Sequence, residues 1–291
     1  MSQHGLLPDQ KKWENITRLL DDDNQAVRDA LLKEFNQNPD ESLIFLKDIV
    51  GRSDDILVKH AQDFIKQLGW VDGVGDFFNF IRSLRYELES GWFLLDRTIF
   101  PNFDISSSTL FLDQMADRTK ELLVPPQNAR EICSTLNRVF FHEYNFRAAG
   151  KDFSNPENSF LHKVIARKKG LPITLCVLYL LVSRRIGFDL EPIGIPGRFM
   201  LGCFSEKIPF YIDVWSGGKF YEVEQMESFL GNFSSDESGS YLLPVTVGET
   251  LTRGCRNLVQ QYIKSGDSKK SELFQSFVDE FEKVHRKEAN A

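Results

Sequence analysis

The side chains best suited to nucleophilic or metal chemistry are few and scattered. The chain has four cysteines, at Cys133, Cys176, Cys203 and Cys255, and five histidines. A zinc ribbon needs cysteine pairs two residues apart, and a disulfide framework needs many cysteines in a short chain. The spacing excludes both, and we expect no metal ion and no other cofactor.

Composition and charge predict that the chain folds and that it does not bind polyanions. Of its 291 residues, 42% are hydrophobic and 26% are charged, which predicts that most of the chain folds. The net charge is −7, and the longest basic run is Arg167-Lys168-Lys169. Phosphate binding needs larger clusters of Lys and Arg, so we expect no nucleic-acid partner.

Hydropathy gives an expectation for location. Neither the N-terminal residues nor any later stretch forms an apolar run of about 18 residues, the length that a membrane-spanning helix needs. Together with the dispersed cysteines, this favours a cytoplasmic protein that does not bind membranes.

Helical periodicity marks both ends of the chain. In the first 70 residues, the run Asp21-Asp22-Asp23-Asn24 can supply the cap of a helix whose apolar stripe includes Leu31 and Phe35. Near the C-terminus, two amphipathic stretches flank a turn at Gly266. The predicted organisation is a helical segment at residues 1–70, a core at 71–247 and a C-terminal helical hairpin at 248–291.

The core combines helices with a short run of strands. A strongly apolar helix is predicted from about Pro172 to Arg185. After it the hydrophobic period changes to two, which predicts an antiparallel meander with strands at residues 192–195, 198–204, 208–215 and 218–223. The fold class is therefore α+β, helix-rich, with a small antiparallel sheet between helical flanks.

Several motifs in order resemble the transglutaminase-like core of the SirB1 kind, a branch of the papain-like superfamily. They lie in Asn155-Pro156-Glu157-Asn158-Ser159, Lys169-Gly170-Leu171-Pro172-Ile173-Thr174-Leu175 and Gly194-Ile195-Pro196-Gly197-Arg198-Phe199. The resemblance also implies that the first 70 residues are HEAT-like helices and that the C-terminal hairpin is tetratricopeptide-like.

The resemblance implies a catalytic triad, and this chain departs from it. The nucleophile position falls at the start of the apolar helix, where Thr174 stands and cysteine is absent. The position of the general base holds Arg198, and the orienting position holds Asp213. An arginine stays protonated at neutral pH and cannot act as a base. We therefore expect a degenerate site.

Alternates for the missing groups can be named. Cys176 could replace Thr174 as nucleophile, although its apolar neighbours favour a small buried hydrophobe. His162 could serve as base. Asn158 and Ser159 adjoin the implied cleft, and we expect them to line it and to cap the following helix.

These observations favour a non-catalytic protein that acts as a protein-binding or regulatory module, with a partner that the sequence does not identify. Two alternatives remain. One is an active hydrolase or acyl transferase that uses Thr174 or Cys176 with an unusual base, and the other is a binding site for an anion or carboxylate at Arg198. If the meander turns near residue 206, Arg198 and Asp213 become approximate cross-strand partners, which predicts an ion pair between them.

Overall fold

The computed structural model describes residues 8–52, 54–68, 73–230 and 240–289. The chain divides into two compact units, one of Met1–Asn79 with Arg97–Asn102 and the other of Phe80–Asp96 with Phe103–Ala291. The predicted boundary at residues 70–71 lies outside the described residues. The predicted boundary at residues 247–248 coincides with the start of a helix in the second unit.

The first unit contains four complete helices, α1 Pro8–Leu19, α2 Gln25–Gln37, α3 Pro39–Val50 and α4 Asp55–Gln67. Local capping explains where they start. The Asn24 side chain accepts a hydrogen bond from the Ala26 N–H (2.9 Å), Pro39 opens α3, and Asp54 caps α4. Their apolar faces form one core, which includes Leu20, Leu31, Phe35, Leu46, Ile49, Ala61, Phe64 and Ile65.

Of the helices that follow, α5 begins in the first unit and ends in the second. The later helices lie in the second unit, apart from the last residue of α6. Their bounds are α5 Gly73–Ser83, α6 Leu88–Arg97, α7 Ile105–Leu122, α8 Ala129–Asn137, α9 Leu161–Arg167, α10 Pro172–Arg185, α11 Val223–Leu230, α12 Val247–Ser265 and α13 Ser268–Ala289. A π-helical turn, Arg138–Glu143, extends α8. Eleven successive residues of α10, from Ile173 to Ser183, are buried. A helix that is apolar all round must be covered on every side, so α10 is the central helix of this unit.

The predicted antiparallel meander is confirmed. Its strands are β3 Glu191–Ile193, β4 Met200–Cys203, β5 Phe210–Asp213 and β6 Lys219–Glu222, in the order β3-β4-β5-β6. A separate parallel pair joins β1 Arg147–Ala148 to β2 Lys169–Gly170. The α+β class predicted from the sequence is therefore correct. In the meander Leu201 pairs with Ile212, so the predicted register, which set Arg198 opposite Asp213, is wrong by two residues.

The second unit ends in a helical hairpin. A capping box of Thr246 and Glu249 starts α12, and Gly266 ends it with φ +78°, a left-handed conformation that glycine adopts without steric cost. Aromatic side chains hold α12 to α13, including the stacked rings of Tyr262 and Phe274. Among the described helices, none combines the length and the apolar character that crossing a bilayer requires.

Candidate functional site

Thr174 lies in the first turn of α10 and is fully buried. Its Oγ1 accepts a hydrogen bond from the Leu171 N–H (2.8 Å) and donates to the Asn158 carbonyl (2.9 Å), with the Leu171 carbonyl at 3.2 Å. These partners are all backbone atoms, so the hydroxyl ties the start of the helix to the preceding loop. A hydroxyl bound in this way has no base to take its proton.

Asn158 and Ser159 also hold this loop together. The Asn158 Oδ1 accepts a hydrogen bond from Arg167 (3.1 Å), and the Ser159 hydroxyl donates to Gln261 Oε1 on α12 (2.7 Å). Both residues are buried, in a 3-10 turn, Pro156–Ser159. They do not cap α9, whose N-cap residue is Phe160, so that part of the prediction is wrong.

Cys176 is fully buried, two residues beyond Thr174. Its Sγ lies 3.5 Å from the Phe199 carbonyl oxygen. Burial raises the pKa of the Cys176 thiol well above its ordinary value, and the nearby negative charge of Asp213 raises it further. The thiol therefore stays protonated at neutral pH, which removes its nucleophilic form.

Arg198 and Asp213 form the ion pair that the sequence predicts. Arg198 Nη1 lies 3.3 Å from Asp213 Oδ2, with 43% of the arginine side chain exposed and 3% of the aspartate side chain exposed. Ser216 also donates to the carboxylate through its N–H (3.1 Å) and its hydroxyl (2.8 Å). Asp213 therefore has partners for both oxygens, and its charged partner is a permanent cation.

The turn before β4 aims Arg198 at this carboxylate. Pro196-Gly197 forms a tight turn in which Gly197 has φ +72° and the Arg198 N–H donates to the Ile195 carbonyl (3.0 Å). Arg253 on α12 donates to the carbonyls of Ile195 (2.8 Å) and Arg198 (2.7 Å). These bonds fix the backbone of the turn from both sides.

The Arg198 guanidinium also stacks on an aromatic ring. Its carbon lies 4.8 Å from the ring centroid of Phe229 on α11. Only Nη1 reaches Asp213, so the contact is a single hydrogen bond rather than the bidentate fork that arginine and carboxylate can form.

His162 is engaged with a different carboxylate. Its Nδ1 lies 2.7 Å from Oδ2 of Asp96, and its ring stacks on Phe103 with centroids 4.6 Å apart. Asp96 also accepts the backbone N–H groups of Leu161 (3.0 Å) and His162 (2.8 Å), which are the first two of α9. The carboxylate thus caps α9, and burial raises its pKa.

The structure brings some predicted residues together and not others. Arg198 and Asp213 are in contact, and Cys176 is close enough that the charge of Asp213 raises the pKa of its thiol. The hydrogen bonds of Thr174 lead instead to Asn158, and those of His162 to Asp96.

Sequence reasoning missed two residues that shape the region, Asp96 and Arg253. Asp96 has a readable signal, since it is a lone acid after the apolar run Trp92-Phe93-Leu94-Leu95. Arg253 has none. Within residues 8–52, 54–68, 73–230 and 240–289, no three side chains of His, Cys, Asp or Glu converge into a group that could hold a metal ion.

The comparisons with known proteins agree with this architecture. Residues 108–264 match the transglutaminase-like superfamily, and the chain belongs to it. This stretch contains α10, the meander and all the predicted site residues.

Three relatives that match are each about one quarter identical to this chain over the aligned residues. F-box only protein 21 of Mus musculus is 27% identical over 157 residues, which are 51% of this chain and 25% of that protein. A UPF0162 protein of Vibrio cholerae is 26% identical over 132 residues, 45% of this chain and 49% of that protein. Another, of Xylella fastidiosa, is 25% identical over 179 residues, 58% of this chain and 62% of that protein. The chain therefore spans less than two thirds of each of these relatives, and no solved structure matches it.

Proposed function

We propose that this chain is a non-catalytic transglutaminase-like protein of the SirB1 kind that works as a protein-binding or regulatory module in the cytoplasm. The observation that carries the proposal is the Arg198–Asp213 pair, which places a permanent cation beside the orienting carboxylate. The buried Thr174 hydroxyl and the protonated Cys176 thiol support it, since neither provides a reactive nucleophile.

The helical parts of the chain are the proposed binding surfaces. We interpret α1–α4 as HEAT-like helices and the α12–α13 hairpin as tetratricopeptide-like, and proteins with such repeats mainly present surfaces to partners. Between α1 and α3 lies an open groove of about 760 Å³, whose lining includes Trp13, Ile44 and Phe45. Ile44 is 71% exposed, which favours a protein partner with an apolar contact residue.

Catalytic inertness is tested by comparing ester hydrolysis and thiol reactivity across matched variants. We expect the wild-type chain to hydrolyse p-nitrophenyl acetate no faster than Thr174→Val or Cys176→Ala. We also expect iodoacetamide to label Cys176 only after denaturation, because the thiol is buried. Hydrolysis that is lost in either variant, or rapid labelling of native Cys176, would support the active hydrolase or acyl transferase instead.

The binding role is tested with a photo-crosslinking residue at position 44 and, as the control, at the exposed Lys59. We expect position 44 to form a defined crosslinked complex in cells and position 59 to form none. The same complex should be lost when the charge of the exposed Glu41, which lines the same groove, is reversed by Glu41→Lys. Equal crosslinking at both positions would contradict a specific surface on this groove.

Carboxylate or anion binding at Arg198 is the second candidate function, and one feature favours it. The guanidinium is 43% exposed, stacks on Phe229, and uses only Nη1 toward Asp213. The remaining N–H groups can donate hydrogen bonds to both oxygens of a carboxylate. Calorimetric titration with a peptide carboxylate should give binding that Arg198→Gln abolishes and Arg256→Gln leaves unchanged. Binding that is the same in both variants would place the anion elsewhere.

A further inference from the structure

The groove between α1 and α3 has an apolar floor and an exposed apolar residue beside it. The rings of Trp13 and Phe45 stack between the two helices, with centroids 4.5 Å apart and an angle of 23° between their planes. Phe45 is buried, whereas its neighbour Ile44 is 71% exposed. The groove therefore offers apolar surface that a partner can remove from water.

Charged side chains line the rim of this groove on both helices. Arg52 pairs with Asp48 (2.5 Å), so these two charges offset each other. Glu14 on α1 and Glu41 on α3 are exposed, and neither forms an ion pair with another described residue. Arg18 carries the remaining lining charge. The rim thus has an excess of negative charge, and two carboxylates are available to a partner.

The helices around the groove carry charge of the same sign. Residues 8–68 contain thirteen acidic and nine basic side chains, which is a net charge of −4 out of the chain's −7. A potential of this sign attracts basic partners and repels acidic ones. It also disfavours a second copy of this chain as the occupant, because two such faces would bring acids against acids.

The spacing along α3 indicates which kind of element fits the groove. Glu41, Ile44, Phe45 and Asp48 stand at helical positions i, i+3, i+4 and i+7, so they form one stripe about 10 Å long. Both walls are helices, whose backbone groups pair within each helix and offer no edge for an added strand. A helix that lies in the groove can match this stripe with its own apolar and charged residues one turn apart.

We propose that the occupant of this groove is an amphipathic, basic helix of a partner protein. An apolar residue of that helix contacts Ile44, and a lysine or arginine one turn away pairs with Glu41. This inference rests on the binding role proposed above for the groove and adds the chemistry of the partner. The apolar contact supplies affinity, because it removes the Ile44 side chain from water. The ion pair lies on the rim, where charge contributes specificity and a faster association rate.

The test measures binding of two synthetic helical peptides to the full chain by fluorescence anisotropy. The peptides, acetyl-LKKLLKLLKKLLKL-amide and acetyl-LEELLELLEELLEL-amide, differ only in the sign of their charged residues. We expect the lysine peptide to bind about ten-fold more tightly than the glutamate peptide. Its affinity should fall when salt is raised from about 50 mM to about 500 mM, because salt screens exposed charges.

Two pairs of matched variants locate the binding. Glu41→Lys should weaken binding of the lysine peptide about ten-fold, whereas Asp29→Lys, at an exposed acid on α2 outside the groove, should weaken it no more than about two-fold. Ile44→Ser should also weaken it about ten-fold, and its control is Ile56→Ser, at a residue on α4 that is 63% exposed. All four positions are exposed, and circular dichroism of each variant checks that the fold is retained.

Equal affinity for the two peptides would overturn the proposal, and so would an equal loss in Glu41→Lys and Asp29→Lys. Tighter binding of the glutamate peptide that Ile44→Ser abolishes would contradict a basic partner, although the groove would keep its binding role. The absence of any crosslinked complex at position 44 would contradict the binding role itself, and this proposal with it.

Discussion

Two buried carboxylates in the second unit, Asp96 and Asp213, bind their basic partners in contrasting ways. Asp96 is fully buried and accepts two backbone N–H groups of α9 together with the His162 ring. Asp213 lies at the end of β5 and binds Ser216 and the half-exposed Arg198. The histidine that could act as a base belongs to a helix cap, and the position that the family resemblance assigns to the base holds arginine. The comparison teaches that a His–Asp pair alone does not identify an active site.

The largest expected effect comes from removing Asp96. Asp96→Ala leaves two N–H groups of α9 and the His162 ring without their acceptor, so we expect a loss of about 3–5 kcal/mol in the free energy of unfolding. Asp96→Asn keeps one oxygen acceptor and should cost less. Urea denaturation of the three proteins measures this, and a loss under about 1 kcal/mol for Asp96→Ala would contradict its role as the cap of α9.

A smaller effect is expected at the other pair. Arg198→Ala removes one charged partner from Asp213, but Ser216 still donates two hydrogen bonds to the carboxylate. Because the arginine is 43% exposed, we expect a cost of about 1–2 kcal/mol, between the values for exposed and buried pairs. The same denaturation series checks it, with Arg256→Ala as an exposed control. A cost equal to that of Asp96→Ala would erase the contrast between the two carboxylates.

The pH dependence of stability sharpens the comparison further. Burial raises the pKa of Asp96, so the folded state holds its proton to higher pH than the unfolded state does. Stability from this group is therefore complete below the ordinary pKa of an Asp carboxyl and is lost as pH rises through the raised pKa, whereas Asp96→Asn lacks this dependence. Unfolding free energies of both proteins between pH 4 and 7 measure the difference. An unfolding free energy of the wild type that increases with pH relative to that of Asp96→Asn would contradict this prediction.

The sequence predicted elements that depend on local patterns. The meander follows from hydrophobic alternation, and the cap of α2 from the polar run Asp21-Asp22-Asp23-Asn24, of which Asn24 makes the capping hydrogen bond. It also predicted the contact between Arg198 and Asp213, although the register was wrong because Pro196-Gly197 forms a turn and β4 starts only at Met200.

Long-range contacts account for the features that the sequence did not predict. Asp96 caps α9 from a distant part of the chain, and a local search for caps therefore selected Asn158 and Ser159 instead. Arg253 stabilises the turn before β4 from α12. The Lys168 amine lies over the ring of Phe111 on α7, more than 50 residues earlier in the chain.

The most direct test of the central claim, that the family's catalytic positions have become structural, is ester hydrolysis by Arg198→His. This variant restores a histidine beside Asp213 while Thr174 stays bound to the Asn158 carbonyl and Cys176 stays buried. We predict hydrolysis of p-nitrophenyl acetate within two-fold of the wild-type rate and of the Arg198→His, Thr174→Val double variant. A gain of ten-fold or more in Arg198→His that the second substitution abolishes would contradict the claim, because it would show that the site still holds a usable nucleophile.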